Sequence, residues 1–177
     1  MSLTCKLRDF FFPRINILRE VGIRPGFYVL DYGCGPGSYI VATAELVGES
    51  RRIYAQDIHP LAIQMVKKIS FKRELTNVET ILSDCKAGLP DNSMDVILLH
   101  NTYNDLGDPD GVLEELHRVL KPGGILSLSD HHMKENQILS KVTNKGLFKF
   151  YKKGKRTFTF LKEKKAFTIP NQSIRQT

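Results

Sequence analysis

A carboxylate followed by three glycines at alternate positions is the feature of this sequence best suited to chemistry. Asp31 ends a short apolar run, and Gly33, Gly35 and Gly37 follow it before a helical pattern begins. Glycine permits backbone angles and close approaches that a Cβ would block. The turn also directs free N–H groups to the carboxyl end of the strand, where an anionic group is favoured. With a carboxylate just below these N–H groups, one site could hold both the carboxylate and the ammonium of an amino-acid ligand.

The spacing of these glycines bears on two kinds of nucleotide site. A dinucleotide fingerprint has the form G-x-G-x-x-G, and Ser38 stands where its third glycine would be. The observed G-x-G-x-G resembles motif I of the class I S-adenosylmethionine (SAM)-dependent methyltransferases, including the acidic residue two positions before the first glycine. The stretch therefore favours SAM over a dinucleotide, without excluding the latter.

Length and composition predict a single globular domain. The chain has 177 residues, of which 41% are hydrophobic and 25% charged, enough for a substantial core. We expect one domain over residues 1–177, with residues 1–24 as a helical lead-in and residues 166–177 as a tail. No apolar run approaches the length of a membrane span, and the first residues lack the apolar core of a signal peptide. Three cysteines without C-x-x-C spacing indicate neither disulfides nor a metal site, so we predict a cytoplasmic protein.

Basic residues are concentrated near the carboxyl end. The net charge is +7; residues 141–177 hold eleven Lys and Arg against one acid, whereas residues 1–140 hold 15 against 18 acids. Such a block could contact RNA, an anionic membrane or an acidic partner. A solvated hairpin edge is the simpler interpretation, because the lysines alternate with phenylalanines expected to be buried and no aromatic is expected to stand exposed among them. We therefore predict no specific nucleic-acid binding.

Short apolar strands alternate with helical segments along most of the chain, which is typical of a parallel doubly wound sheet. The strands are predicted at residues 27–31, 52–57, 78–82, 96–99 and 125–129, and helices follow or precede them. Residues 147–151 and 156–161 then alternate at period two and predict an antiparallel hairpin. Its buried face would carry Phe148, Phe150, Phe158 and Phe160. The expected fold class is α/β, a Rossmann-like and mostly parallel sheet with a C-terminal antiparallel hairpin.

Acidic residues follow two further strands at the edge where an open α/β sheet places its ligands. Asp57 lies 24 residues after Gly33 and presents only acceptors, which suits a ribose diol. A cap on the following helix is the alternative. Asp84 could accept from an exocyclic amine while the Cys85 N–H donates to a ring nitrogen of adenine, although Asp84 could equally form only a turn.

Further stretches resemble the same methyltransferase family in chain order. They are Asp57, Asp84-Cys85, the lead L-P-D-N-S-M-D-V into the fourth strand and L-K-P-G-G before the fifth. The last two are similar to the small-molecule subgroup that includes ubiquinone and menaquinone methyltransferases, and the terminal hairpin is also the ending of that family. The resemblance covers roughly residues 14–163. It implies a seven-stranded methyltransferase fold, SAM as cofactor and S-adenosylhomocysteine as product.

The resemblance also implies a cofactor role for eleven residues. They are Asp31, Gly33, Cys34, Gly35, Gly37, Asp57, Ile58, Asp84, Cys85, His100 and Asn101. Gly33, Gly35 and Gly37 would border the methionine part of SAM, with Asp31 binding its ammonium group. Asp57 would hold the ribose, Ile58 one face of adenine, and Asp84 with the Cys85 backbone its polar edge. The last two would close the methionine side.

Methyl transfer from a sulfonium needs alignment and desolvation from the protein, because the cofactor carries the reactive bond. A general base is needed only if the acceptor must lose a proton. The candidates are His100, Tyr103, His131 and His132, none of which stands out. No D/N-P-P-[YFW] motif is present, which disfavours enzymes that methylate amino groups of DNA or protein glutamine.

The sequence favours a small-molecule methyltransferase whose fairly apolar acceptor enters near residues 10–12 and Tyr103. No cap insertion appears between the strands, so the elements that recognise the substrate are expected to be short or absent. Two alternatives stay open. One is an RNA or protein methyltransferase guided by the basic region, and the other is a SAM-binding subunit without activity. The acceptor and the oligomeric state stay open as well.

Overall fold

Seven strands and five helices occur in the part of the chain that the structure, a computed structural model, describes, namely residues 14–163. The helices are α1 (Arg14–Val21), α2 (Ile40–Val47), α3 (Pro60–Lys72), α4 (Pro109–Val119) and α5 (Glu135–Thr143). The strands are β1 (Val29–Tyr32), β2 (Ile53–Asp57), β3 (Val78–Leu82), β4 (Met94–His100), β5 (Leu120–Ser129), β6 (Phe148–Lys153) and β7 (Phe158–Lys162). One domain over residues 1–177 stays a prediction, since residues 1–13 and 164–177 lie outside the described part.

All seven strands belong to one sheet, in the order β3-β2-β1-β4-β5-β7-β6. Strands β1 to β5 are parallel, whereas β7 pairs antiparallel with both β5 and β6. The predicted fold class is therefore confirmed. The chain reverses its direction of travel across the sheet between β1 and β4, and a sheet of this kind binds ligands in the crevice at that switch point.

The core lies on both faces of the sheet. Ile97 and Leu99 of β4 pack into a cluster with α4 and α5, while Val96 and Leu98 pack into another with α1, α2 and α3. Side chains of a strand alternate between faces, so a strand covered on both sides is apolar throughout. No helix within residues 14–163 has the length and apolar character needed to cross a bilayer.

Most predicted strand ends lie within two residues of the observed ends, but β5 begins earlier than predicted. The fifth strand was predicted to begin at residue 125, yet Leu120 already pairs with Met94. The register then shifts between Met94 and Val96. This irregularity accommodates Pro122 and Gly123, which a regular central strand would not tolerate.

The hairpin forms as predicted, but its aromatic residues are less buried than expected. Phe148 and Phe160 are buried and Phe158 is half-buried, whereas Phe150 is 38% exposed. Strand β6 is the edge of the sheet, so Phe150 has a strand on one side only and meets Phe160 edge to face at 5.9 Å. A register shift after Phe150 leaves Tyr151 58% exposed. The prediction that no exposed aromatic stands among the lysines is therefore wrong.

The two phenylalanines that pair across the hairpin provide a test of this packing. Phe160→Ala should lower the free energy of unfolding by about 3–5 kcal/mol, because a wholly buried ring leaves a cavity. Phe150→Ala is the matched control and should lose only about 1 kcal/mol, because its ring is partly in solvent. Urea denaturation of both variants measures the difference. Equal losses would contradict the edge position of β6.

Candidate functional site

A cavity of about 600 Å³ opens at the carboxyl ends of β1, β2 and β4. Its size is that of a site for a small ligand. Seven of the eleven residues assigned to the cofactor line it, namely Gly33, Gly35, Asp57, Ile58, Asp84, Cys85 and Asn101. The structure thus brings together, at the switch point of the sheet, residues that lie far apart in the sequence.

The three glycines of the turn are required for different reasons. All have positive φ angles, and a Cβ on Gly33 would lie 2.3 Å from Oγ1 of Thr102. A Cβ on Gly37 would lie 3.1 Å from Val66 of α3, whereas one on Gly35 would meet nothing within 4 Å. Gly33 and Gly37 therefore serve packing as well as conformation. Gly35 faces open space, so a ligand can approach its backbone closely.

Cys34 lies within the turn but points away from the cavity. Its side chain is 5% exposed and packs in the cluster formed with α1, α2 and α3. Burial raises the pKa of the thiol, with Asp31 and Asp57 adding to this effect. The thiol is therefore neutral, and its contribution to the turn comes from its backbone and packing.

Asp31 is a buried carboxylate with an unpartnered oxygen. It is 2% exposed, and Oδ2 has no hydrogen-bond partner within the part of the chain that the structure describes. Burial raises its pKa to about 7, and the neighbouring charge of Asp57 contributes in the same direction. An ionised carboxylate is stable in such surroundings only when it is paired with a cation or hydrogen-bonded. The position of Asp31 therefore fits a cationic ligand group.

Asp57 fixes the glycine turn to the start of α3. Its Oδ2 accepts from the Gly35 N–H at 2.8 Å, and its Oδ1 accepts from the His59 N–H at 2.9 Å. The alternative of a local backbone role is thus present in the structure. Each carboxylate oxygen accepts more than one hydrogen bond, so Asp57, which also lines the cavity, retains acceptor capacity for a ligand hydroxyl.

The loop after β3 does not present a free N–H in the predicted way. The Cys85 N–H donates to Oδ1 of Asp84 at 2.7 Å. The hydroxyl of Tyr32 donates to the backbone carbonyls of Asp84 and Cys85, at 2.8 and 3.2 Å. Tyr32 was not singled out in the sequence, because its role depends on a loop more than fifty residues away. Burial raises the pKa of its hydroxyl.

An ion pair on α4 holds the same loop from behind. Oε1 of Glu115 accepts from the Ala87 N–H at 2.8 Å, and Arg118 donates to the Leu89 carbonyl at 2.9 Å. Glu115 and Arg118 also pair with each other at 2.8 Å. The hydrogen bond from Arg118 lowers the pKa of Glu115. The loop that carries Asp84 is therefore positioned by helix α4 as well as by Tyr32.

His100 is a buried core residue and is not placed to exchange a proton with solvent as a general base. It is 6% exposed, and its Nε2 lies 2.9 Å from Oγ of Ser127. Burial lowers its pKa to about 4, so the ring is neutral at physiological pH. Its Nδ1 has no partner among the described residues. The neighbouring Asn101 lines the cavity with a left-handed backbone, φ 55°.

The other candidate bases follow β4 and β5 in the sequence but are not among the described residues that line the cavity. Tyr103 is 3% exposed within the core beneath α4, and burial raises the pKa of its hydroxyl. Tyr103 is not among the described residues that line the cavity, near which the acceptor was expected to enter. His131 and His132 are both exposed, and neither is among the described residues that line the cavity. Residues 10–12, near which the acceptor was expected to enter, lie outside the described residues.

The charged side chains in the described lining of the cavity are acidic. Asp57, Asp84, Asp105 and Asp108 line it, and within residues 14–163 its lining contains no Lys or Arg. A wall of this sign repels phosphate groups and attracts cations. The electrostatics therefore favour a cationic ligand over a dinucleotide, in agreement with the spacing of the glycines.

Comparison with known proteins gives a consistent assignment. Residues 23–169 match the family described as a methyltransferase domain. The chain is 32% identical over 113 residues to the demethylmenaquinone methyltransferase of Geobacillus stearothermophilus, covering 63% of this chain and 48% of that protein. It is 33% identical over 123 residues to the ubiquinone/menaquinone biosynthesis C-methyltransferase of Hydrogenovibrio crunogenus, covering 68% of this chain and 48% of that one. The chain thus spans about half the length of the curated relatives it matches.

Solved structures resemble most of this chain. A SAM-dependent methyltransferase from Aquifex aeolicus superposes with a TM-score of 0.77 at 28% identity, covering 88% of this chain and 91% of that one. A methyltransferase-like protein from Methanococcus maripaludis superposes with a TM-score of 0.73 at 17% identity, covering 88% and 85%. At that lower identity the likeness concerns the fold alone.

The burial of Asp31 predicts an effect on stability that can be measured without ligand. Asp31→Asn should make the ligand-free protein more stable at pH 8, by about 2–4 kcal/mol, since each pKa unit corresponds to about 1.4 kcal/mol. The folded pKa of about 7 lies above the ordinary value of 3.8. The contribution of the neutral Asp31 carboxyl to the free energy of unfolding is therefore fully present below about pH 4 and is lost as the pH rises through 7. Urea denaturation at several pH values tests this.

Asp57→Asn is the control, and the opposite sign is expected. Its two oxygens accept from backbone N–H groups, so an amide nitrogen would face a donor and the variant should lose stability. A stability difference between the parent and Asp31→Asn that does not change with pH would contradict the burial of an ionisable Asp31.

Proposed function

Because this chain belongs to the class I SAM-dependent methyltransferase family, we propose that it transfers a methyl group from SAM to a small-molecule acceptor. The observation that carries the proposal is the unpartnered Oδ2 of buried Asp31, which stands two residues before a glycine turn that lines a cavity with acidic walls; Asp31 itself is not among the described residues of that lining. An ammonium group paired with Asp31 would relieve the unfavourable burial of its charge. S-adenosylhomocysteine would be the product.

The residues present fit the parts of this cofactor. Asp31 would bind the ammonium group, and the open backbone at Gly35 would admit the methionine end. Asp57 would accept from the ribose hydroxyls with its remaining lone pairs, and Ile58, 58% exposed at the cavity, would cover adenine. Asp84 would accept from the adenine amine. When bound, SAM would supply a methyl group activated by its bond to a positively charged sulfur, with S-adenosylhomocysteine as the leaving group.

The acceptor is proposed to react without a general base from the described part of the chain. Tyr103 and His100 are buried, and His131 and His132 stand outside the described lining of the cavity. The chain's contribution is then alignment of the acceptor and removal of water. The curated relatives are named for demethylmenaquinone and for ubiquinone/menaquinone biosynthesis, so an activated carbon of a quinone precursor is the first acceptor to test.

The alternative of an RNA methyltransferase has one observation in its favour. Phe150 and Tyr151 are exposed on the basic hairpin, where they could stack on bases. The neighbouring lysines are engaged, however: Nζ of Lys152 donates to the Glu20 carbonyl at 2.7 Å, and Lys153 pairs with Glu135. We therefore retain the small-molecule function. A cytoplasmic location remains a prediction from the cysteine pattern.

The choice of cofactor is tested by calorimetric titration with SAM, S-adenosylhomocysteine and NAD. SAM and its product should bind, and NAD should not, because the cavity wall repels phosphates.

Binding of SAM should weaken as the pH falls below about 7, since Asp31 then takes up a proton. Asp57→Ala should weaken binding by about 1.5–3 kcal/mol. Asp110→Ala, exposed and outside the cavity lining, is the control. Binding of NAD without any response to SAM would refute the proposal.

The choice of acceptor is tested by transfer of tritiated methyl groups from SAM. A small-metabolite extract should become labelled, while total RNA at physiological salt should not. The second half of the test neutralises Lys149, Lys152, Lys153 and Lys155 together, which should leave labelling of the small molecules unchanged. Label in RNA that disappears in this variant would favour the basic hairpin as a guide for RNA.

A further inference from the structure

Gln56 is a buried amide for which the described residues provide no partner. It stands one residue before Asp57 in β2 and is 1% exposed. Neither its Oε1 nor its Nε2 has a hydrogen-bond partner in the described part of the chain, yet the residue belongs to the lining of the cavity. Buried amides in folded proteins are almost always satisfied by protein, water or ligand. The position of Gln56 at the cavity therefore points to a ligand group.

The alternation of β2 separates Gln56 from the two carboxylates. Gln56 is in register with Tyr32 of β1 and Ile81 of β3, which both belong to the apolar cluster beneath α4 and α5. Ala55 of β2 and Val29 of β1 belong to the opposite cluster. Because successive side chains of a strand point to opposite faces, Gln56 projects toward the α4 face. Asp57 and Asp31 project toward the other face.

The α4 face is the one that carries the loop after β3. Tyr32, the register partner of Gln56, donates its hydroxyl to the carbonyls of Asp84 and Cys85. Gln56 therefore lies below the end of the cavity assigned to adenine, and the carboxylates lie at the ends assigned to the ammonium group and the ribose. The Cys85 N–H that would bind an adenine nitrogen already donates to Asp84, which leaves the purine edge in need of a donor.

A carboxamide has the groups that such an edge requires. It offers one acceptor and two donors, and a Gln side chain pairs with adenine by accepting from the amine and donating to an adjacent ring nitrogen. The adenine amine has two hydrogens, so Asp84 and Gln56 can share it. We propose that Gln56 is a specificity-determining residue that binds the adenine of the cofactor through its carboxamide. This inference rests on the proposed function, since the base is that of SAM.

The test uses Gln56→Met, which keeps the length of the side chain and removes the amide. Parent and variant are titrated with S-adenosylhomocysteine and with its analogue in which hydrogen replaces the adenine amine. The parent should bind the analogue at least tenfold more weakly than S-adenosylhomocysteine. The variant should lose about tenfold in affinity for S-adenosylhomocysteine and much less for the analogue. Gln64→Met, on an exposed position of α3, is the matched control and should behave as the parent.

The stability of the ligand-free variant separates a lost contact from a damaged fold. Gln56→Met should melt at the same or a higher temperature than the parent, because it removes an unpaired buried amide. Parent-like affinity of the variant for S-adenosylhomocysteine would overturn the inference and leave the proposed function intact. An equal loss of affinity for both ligands would also overturn it, since Gln56 would then not read the amine edge. A parent protein that binds neither SAM nor S-adenosylhomocysteine would overturn the inference together with the proposed function.

Discussion

The burial of Asp31 beside Asp57 is the constraint on which this site depends. Two carboxylates at the ends of neighbouring parallel strands repel each other, and the structure compensates only one of them. Asp57 receives two backbone N–H groups, from Gly35 and His59, whereas Oδ2 of Asp31 receives none within the described residues. The uncompensated charge remains unfavourable until a cation approaches. The same arrangement that fixes the glycine turn thus leaves a buried carboxylate oxygen without a partner among the described residues, and this oxygen is the one proposed to accept from an ammonium group.

The rest of the fold supplies the stability that tolerates this arrangement. Strand β4 is buried on both faces, and hydrophobic burial is the dominant favourable contribution to folding. The hairpin extends the sheet and covers it with Phe148 and Phe160. Helix α4 has a further role, because its Glu115 and Arg118 hold the loop after β3. The scaffold therefore holds the segments that follow β1, β2, β3 and β4 at one edge of the sheet while leaving the space between them open.

The sequence could predict those features of the site that a local pattern of residues encodes. The glycine turn, Asp57 and Asp84 stand at recognisable distances from apolar strands, and they do line one cavity. The contacts of Tyr32 and the role proposed for Gln56 were missed, because they depend on the register between β1 and β2 and on a loop distant in sequence. Tyr103, suggested as a base by its place after β4, turned out to be buried, which no residue near it in sequence reveals. Phe150 was misplaced for a similar reason, since the position of β6 at the sheet edge is a property of the topology.

The places where the fold leaves polar groups unsatisfied coincide with the switch point of the sheet. Six buried side-chain atoms have no hydrogen-bond partner in the described part of the chain, and four of them belong to Asp31, Gln56 and His100. These residues stand at or next to the carboxyl ends of β1, β2 and β4. Packing alone does not explain such a cluster, because each unpaired group opposes folding. Asp31 and Gln56 project toward opposite faces of the sheet. A ligand whose cationic end reached the carboxylate of Asp31 and whose hydrogen-bonding base reached the amide of Gln56 would satisfy both groups together.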